Sequence, residues 1–261
     1  MAKFWRLYLE YMKASFAGAL EYRASFFSQI VGMFFNDILW VAYWFLYFEK
    51  FPVLGGWTLE DVMVLWASFA VSYGLVHAFA SNAARIPSLV VQGQLDYYLA
   101  LPKDVLLHLL MSQIRPIALG DLIFGPILLV VMVKLTWARV AIFLAVTLLA
   151  ACVLLGLRIL TGSLTFFIGS AEGLSSQIMN AVIHFSTYPT PIFGSVIKVV
   201  LFTVLPAGFI TTLPVELVRE FQWVGFLQLL GGAIFFLGSA VLLFRAGLKR
   251  YESGNLMMMR S

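Results

Sequence analysis

Residues 85–102 read R-I-P-S-L-V-V-Q-G-Q-L-D-Y-Y-L-A-L-P and form a short mixed segment that follows two long apolar runs. The segment is too polar to lie in lipid. Residues 26–48 and 62–84, which precede it, each hold about twenty mainly apolar residues, enough to cross a bilayer. A chain that starts on one side of a membrane therefore returns to that side at Arg85. We predict that residues 85–102 form a helix there.

The composition of the whole chain is that of a membrane protein. Of its 261 residues, 62% are hydrophobic and 11% are charged, whereas soluble domains are roughly half apolar and about a quarter charged. The chain has no polar block of ~100 residues from which a separate domain could be built. The sequence therefore predicts one all-α polytopic membrane domain over residues 1–261.

Six apolar stretches are predicted to span the membrane: residues 26–48, 62–84, 105–133, 140–168, 175–189 and 221–244. The fifth is short and polar. The fourth is longer than one perpendicular crossing needs. We place the inner turn after it at residues 169–174, and a turn at residues 158–162 is the alternative.

Two further segments flank these spans. Residues 1–23 place apolar and charged side chains on opposite faces at helical spacing, which predicts an amphipathic helix in the membrane interface. Prolines punctuate residues 190–215, which favours short re-entrant helices on the outer side, covered by protein.

The lysines and arginines indicate the cytoplasmic side. Most of the 17 fall in residues 1–23, in residues 85–115 and after residue 244, which the positive-inside rule places in the cytoplasm. Six spans with both termini cytoplasmic fit this distribution. The formal net charge of +4 then reflects membrane topology, and we expect no nucleic-acid partner.

Helical spacing gives residues 85–102 two faces. The face toward the membrane domain is predicted to hold Ile86, Leu89, Val90 and Leu95. The other face would offer polar side chains to a soluble partner: Gln92, Gln94 and Asp96.

Three ionisable residues fall within predicted spans: Asp37, Asp121 and Arg158. Charges at such depth are costly and normally face a partner or water, so each is a candidate functional residue. At ~1.5 Å per residue, Asp37 and Arg158 both lie roughly 15 Å from the inner ends of their spans if the turn is at 169–174. They could form a buried ion pair, or one of them could contact a substrate. Asp121 lies nearer the inner interface.

No motif indicates an enzyme, a metal or a cofactor. The nucleotide-binding pattern G-x-x-x-x-G-K-[ST] and the nucleophile pattern G-x-S-x-G are both absent. His77, His108 and His184 are far apart, with no acid or Cys at ligand spacing. We therefore expect no catalytic residue and no cofactor. In the last span, close helix packing is favoured by three glycines: Gly231, Gly232 and Gly238.

Several separated stretches together resemble the permease subunits of type-2 ABC exporters. They are E-Y-R at residues 21–23, G-Q-L-D-Y-Y-L-A-L-P at 93–102, Y-P-x-P-I-F at 188–193, L-P-A-G-F-I-T-T-L-P at 205–214 and L-K-R-Y-E-S-G-N at 248–255. The likeness covers nearly the whole chain in the right order, and it is closest to a branch of uncharacterised bacterial permeases.

The resemblance implies a half-transporter in a bacterial plasma membrane, which pairs with a second permease, identical or homologous. A separately encoded ATPase would bind each half, so the transporter would carry two ATPase copies. In such permeases the helix between spans two and three docks on the ATPase, which implies coupling roles for Arg85, Leu89, Gln92, Gln94 and Asp96. The interfacial helix at residues 1–23 helps this coupling, and re-entrant helices precede the last span.

A secondary transporter or channel driven by an ion gradient is the alternative function. Such a protein would be expected to carry a chain of intramembrane acids and internal sequence repeats.

Overall fold

A computed structural model describes residues 2–133 and 136–251, and this part of the chain is helical without a β-strand. The helices in chain order are α1 (Ala2–Glu21), α2 (Arg23–Lys50), α3 (Leu59–Ala80), α4 (Ile86–Val91), α5 (Leu95–Leu99), α6 (Val105–Met111), α7 (Leu119–Met132), α8 (Trp137–Ser163), α9 (Thr165–Ile168), α10 (Glu172–Ser186), α11 (Ser195–Thr203), α12 (Leu213–Arg219) and α13 (Trp223–Leu248). The predicted all-α class is confirmed. Residues 252–261, part of the predicted cytoplasmic tail, lie outside the described residues.

Helices α3 and α8 form the centre of the bundle. The central stretch of α3 is 83% buried inside the protein, whereas that of α2 is 11% buried. Helix α3 packs against α7 and α8, and α8 also packs along α13. Because apolar side chains surround α3 on every side, the helix is most stable when other helices enclose it.

A glycine allows α8 and α13 to lie close together. A Cβ atom at Gly156 would lie 2.6 Å from the carbonyl carbon of Phe236. Among the glycines that the sequence favoured, Gly232 contacts the ring of Phe209, but Gly231 and Gly238 face open space. Close packing of α8 and α13 therefore depends on Gly156, and close packing of another helix at Gly231 and Gly238 stays a prediction.

Among the described residues, four helical runs are long and apolar enough to cross a membrane: Arg23–Lys50, Leu59–Val91, Trp137–Ile168 and Trp223–Leu248. Two bent pairs raise the number to as many as six, namely Val105–Met111 with Pro116–Met132 at 75° and Ser195–Thr203 with Gly208–Arg219 at 85°. The four long runs contain, or nearly contain, the predicted spans at 26–48, 62–84, 140–168 and 221–244.

The predicted third span, residues 105–133, is not one kinked helix. The chain leaves helical geometry between α6 and Pro116, and the two halves meet at 75°. Proline has no N–H for the helical ladder, so Pro116 begins a new helical turn instead of continuing the old one. Pro126 lies inside α7 without ending it.

The predicted fifth span, residues 175–189, corresponds to α10, which has 15 residues and is not among the long runs. At ~1.5 Å per residue it is about 22 Å long, shorter than the ~30 Å hydrocarbon core. Helix α9 ends at Ile168 and α10 begins at Glu172, so the helix break falls within the turn placed at 169–174. The alternative turn at 158–162 is wrong, because those residues lie inside α8.

Within residues 190–215, α11 and the start of α12 belong to the second bent pair. Their re-entrant course stays a prediction.

Helix α1 has the amphipathic pattern predicted for residues 1–23, with Tyr8 buried and Arg6 and Lys13 exposed. The Tyr11 hydroxyl lies 2.8 Å from His108 Nε2, which joins α1 to α6.

Candidate functional site

The segment at residues 85–102 consists of two short helices, α4 and α5, instead of the single predicted helix. Gly93 has a φ of +70°. Its N–H donates to the carbonyl of Val90 at 3.3 Å, and the N–H of Gln94 donates to the carbonyl of Leu89 at 2.9 Å. This pair of bonds is the Schellman arrangement, which ends a helix at a glycine in the left-handed region. The chain therefore turns at Gly93 between the two helices.

The four apolar residues predicted to face the membrane domain are buried: Ile86, Leu89, Val90 and Leu95. They belong to one cluster with Ile159 of α8 and Phe244 of α13. Leu89 is 3% exposed, so it anchors the segment and cannot itself contact a partner. The coupling role predicted for Leu89 stays a prediction, with Leu89 as an anchor of the segment.

The opposite face carries amides beside large apolar side chains. Gln92 and Gln94 are exposed, and the Gln94 amide donates to Gln92 Oε1 at 3.0 Å. Next to them, Val91 and Tyr97 are 53% and 59% exposed. Adjacent exposed aromatic and aliphatic side chains with few charges are typical of protein interfaces. We call Val91, Gln92, Gln94 and Tyr97 the coupling surface.

Asp96 and Arg85 lie beside this surface but contact the protein itself. Burial and the neighbouring Asp96 carboxylate raise the pKa of Tyr251 to about 12, so Asp96 is close to the end of the last helix. The Arg85 guanidinium donates to Gln113 Oε1 at 2.7 Å and lines an internal cavity. Both residues are therefore less available to a partner than Gln92 and Gln94.

A buried amide, which sequence reasoning missed, fixes the segment to α6. Asn82 is 1% exposed, and its Nδ2 donates to the carbonyl of Leu109 at 2.9 Å and to Ser112 Oγ at 2.8 Å. The hydroxyl of Tyr98 in α5 lies 2.9 Å from the same Ser112 oxygen. The sequence held one signal for this contact, because Asn82 is a polar residue near the end of the apolar run at residues 62–84, just before the segment at residues 85–102.

The ionisable residues of the predicted spans line two neighbouring cavities. The arginine cavity, of about 320 Å³, is lined by Arg85, Arg115 and Arg158 among others. The aspartate cavity, of about 410 Å³, is lined by Asp37 and Asp121 among others. The two cavities share three lining residues: Tyr73, His77 and Arg115.

The ion pair considered for Asp37 and Arg158 is not formed. In the described part of the chain the ion pairs are Lys13–Glu10, Arg139–Glu60, Arg219–Asp61 and Arg245–Asp104. Equal depth in two helices does not make their side chains face each other, because each helix also has a rotation about its axis.

Arg158 contacts a histidine instead. Its Nη2 lies 3.4 Å from His77 Nε2, and His77 Nδ1 lies 2.9 Å from the carbonyl of Tyr73. Because a guanidinium can only donate, Nε2 must accept and Nδ1 must carry the proton. The imidazole is therefore held as one neutral tautomer, and its ring stacks on Tyr73 with the centroids 3.8 Å apart.

Within residues 2–133 and 136–251, no group of three or more histidine, cysteine, aspartate or glutamate side chains is placed to hold a metal ion.

Comparison with known families decides the identity of the chain. Residues 31–254 match the family model described as "ABC-2 family transporter protein". The chain belongs to the ABC-2 transporter family. No curated protein and no solved structure matches it. Membership and the membrane-length helices together identify a multi-pass ABC-2 permease, a subunit type that is typically non-catalytic.

Proposed function

We propose that this ABC-2 permease forms, with a second identical or homologous permease, the export path of an ATP-binding cassette transporter. A separate ATPase subunit would bind each half and drive transport, since the chain carries no nucleotide-binding motif. The protein would lie in a bacterial plasma membrane with both termini in the cytoplasm. Within the family, we place it beside the branch of uncharacterised bacterial permeases that it resembles.

The coupling surface carries this proposal. Its inner face is buried in the bundle and its outer face offers amides and an aromatic ring, so it is a rigid platform for a soluble protein. The platform is also joined to the core, because a single 3₁₀ turn, Ser81–Arg85, links the end of α3 to α4. Displacement of the coupling surface by a bound ATPase would therefore move α3, which packs against α7 and α8 at the centre of the protein.

The exposure of α2 supports pairing with a second permease. Side chains at successive turns of this helix are large, apolar and exposed, including Val31, Phe35 and Ile38. Lipid and a second permease are both apolar enough to cover them. Helix–helix contact there would complete the wall of the transport path.

One observation favours the alternative, a transporter driven by an ion gradient. Asp37 and Asp121 line the same cavity, and paired intramembrane carboxylates are typical of ion-coupled carriers. The two functions differ in energy source. Transport that continues in vesicles without ATP, but stops when the ion gradient is removed, would favour the alternative.

The ATPase proposal is tested by enlarging the coupling surface. Gln92→Trp and Gln94→Trp should each lower co-purification of the ATPase at least tenfold, equal to about 1.4 kcal/mol of binding free energy. Gln222→Trp is the matched control. This exposed glutamine lies just before the first residue of α13, whereas the segment at residues 85–102 packs near the other end of α13, at Phe244. Unchanged co-purification in well-expressed Gln92 and Gln94 variants would contradict the proposal.

A further inference from the structure

We propose that the arginine cavity binds an anionic oxyacid group, such as a phosphate, carried by the exported molecule or by a membrane lipid. This inference rests on the proposed function, because it assigns a substrate class to the permease. The inference has three requirements. The cavity must hold positive charge that no carboxylate in its lining neutralises, this charge must lie within the membrane, and an anion must be able to enter the cavity.

No carboxylate lines the arginine cavity itself, although Arg115 also lines the aspartate cavity beside Asp37 and Asp121. The lining of the arginine cavity holds three arginines. None of the three takes part in any ion pair of the described residues. Arg85 donates to the neutral Gln113 amide, and Arg158 to the neutral His77. A cluster of cations without a carboxylate attracts an anion over the whole width of the cavity.

Arg158 has the strongest need for a ligand. It lies ten residues before Ile168 on a continuous helical run, about 15 Å from the end of that run. A guanidinium has five N–H donors, but among the described residues its only hydrogen bond is the long one to His77, and Nε is buried without a partner there. An arginine at such depth is normally matched by a carboxylate, by carbonyls or by water. The described residues place no carboxylate in the lining of this cavity, so an anion from outside would occupy the place.

The arginines are arranged along a path. Arg85 and Arg115 are exposed, whereas Arg158 is partly buried. An entering anion would meet one of the exposed arginines first and Arg158 afterwards. On the α10 side of the cavity, Ser176 and Asn180 add neutral polar groups that can bind an oxyacid oxygen.

The shape of the ligand follows from the chemistry of the lining. The planar guanidinium fork binds two oxygens of a phosphate or a carboxylate side by side, which a lysine cannot do. A volume of about 320 Å³ fits a headgroup, whereas acyl chains would have to remain outside. The carboxylates of the aspartate cavity repel an anion, so it would stay on the arginine side of the shared wall.

The test measures binding to the full-length permease in nanodiscs of phosphatidylcholine, without the ATPase. Inorganic phosphate is titrated in one arm, and phosphatidylglycerol replaces part of the lipid in the other. Thermal unfolding reports binding in both, because a ligand of the folded state raises the midpoint. We expect at least one probe to stabilise the protein. A response to phosphate alone indicates a free anion, and a response to phosphatidylglycerol alone indicates a lipid headgroup.

The variants assign the response to the cavity. Arg158→Gln should weaken the apparent affinity at least tenfold, and Arg158→Lys should restore it only in part. Arg245→Gln is the matched control, because this arginine pairs with Asp104 and does not line the cavity. If Arg158→Gln does not fold, Arg115→Gln at the exposed mouth gives the same comparison.

Two results would overturn the inference. No stabilisation by either probe would mean that water alone solvates these arginines, and equal binding by the wild type and the Arg158 and Arg115 variants would mean that the anion binds elsewhere. Co-purification of the ATPase with the same variants separates this inference from the proposed function. If the ATPase still co-purifies with a permease that responds to neither probe, the anion site is wrong and the proposed function stands.

Discussion

Replacing Gly156 with alanine should force α8 away from α13. The added Cβ would lie 2.6 Å from the carbonyl carbon of Phe236 and 2.8 Å from both its oxygen and the nitrogen of Leu237. Carbon atoms in ordinary contact are about 3.5–4.0 Å apart, so the helices must separate by roughly 1 Å. All three clashing atoms belong to the backbone, and therefore no change of side-chain rotamer can relieve the overlap.

Two effects of this substitution oppose each other. Alanine is a better helix former than glycine by up to about 1 kcal/mol. Overpacking a tight interface typically costs about 1–3 kcal/mol, and here the whole contact between α8 and α13 must adjust. We expect a net loss of about 1–2 kcal/mol in the free energy of unfolding.

The assay is thermal unfolding of the purified protein in detergent, followed by tryptophan fluorescence. Gly238→Ala is the matched control, because this glycine lies on α13 but its added Cβ would meet nothing within 4 Å. We expect Gly156→Ala to lower the midpoint and Gly238→Ala to leave it unchanged or slightly higher. Equal midpoints for the two variants would refute the packing described for α8 and α13.

Three further substitutions test other contacts, each by the same unfolding assay. Asp61→Asn should cost about 1–3 kcal/mol, because the carboxylate caps α3 and accepts from Arg219 Nε at 2.7 Å; stability equal to wild type would contradict this contact. Asn82→Ala should cost about 1–3 kcal/mol and lower ATPase co-purification, since its two strong hydrogen bonds hold the turn after α3 against the end of α6, where Ser112 also contacts Tyr98 of α5; no loss of either would show that the network is dispensable. Asp37→Asn and Arg158→Gln should be additive within about 0.5 kcal/mol, and a larger coupling energy would mean that the two residues pair after all.

The length of apolar runs was readable from the sequence because it is a one-dimensional property. A run of about twenty apolar residues can satisfy its backbone in lipid only as a helix. The spans predicted at 26–48, 62–84, 140–168 and 221–244 therefore coincide closely with long helical runs. The span predicted at 105–133 contains enough apolar residues as well, but its 75° bend at Pro116 depends on how the neighbouring helices pack.

Helical periodicity predicted which apolar residues of the segment at residues 85–102 are buried, because burial follows the face of a helix. The break at Gly93 was also available from the sequence, since a glycine after a helical run commonly ends it. The partner of Arg158 was not available. Depth follows from counting residues, whereas contact with His77 depends on the rotation of α3 and α8 about their own axes, which only the packed bundle defines.

Docking of an ATPase on the coupling surface is tested most directly by site-specific cross-linking. Gln94→Cys in a Cys152→Ala background leaves one thiol, at an exposed position of that surface. In native cells it should cross-link to a protein that contains G-x-x-x-x-G-K-[ST], identified by mass spectrometry, while Gln222→Cys in the same background should give no such product. If Gln94→Cys is expressed at the wild-type level and yields no cross-link to a protein with this motif, the coupling surface does not bind an ATPase and the account is wrong.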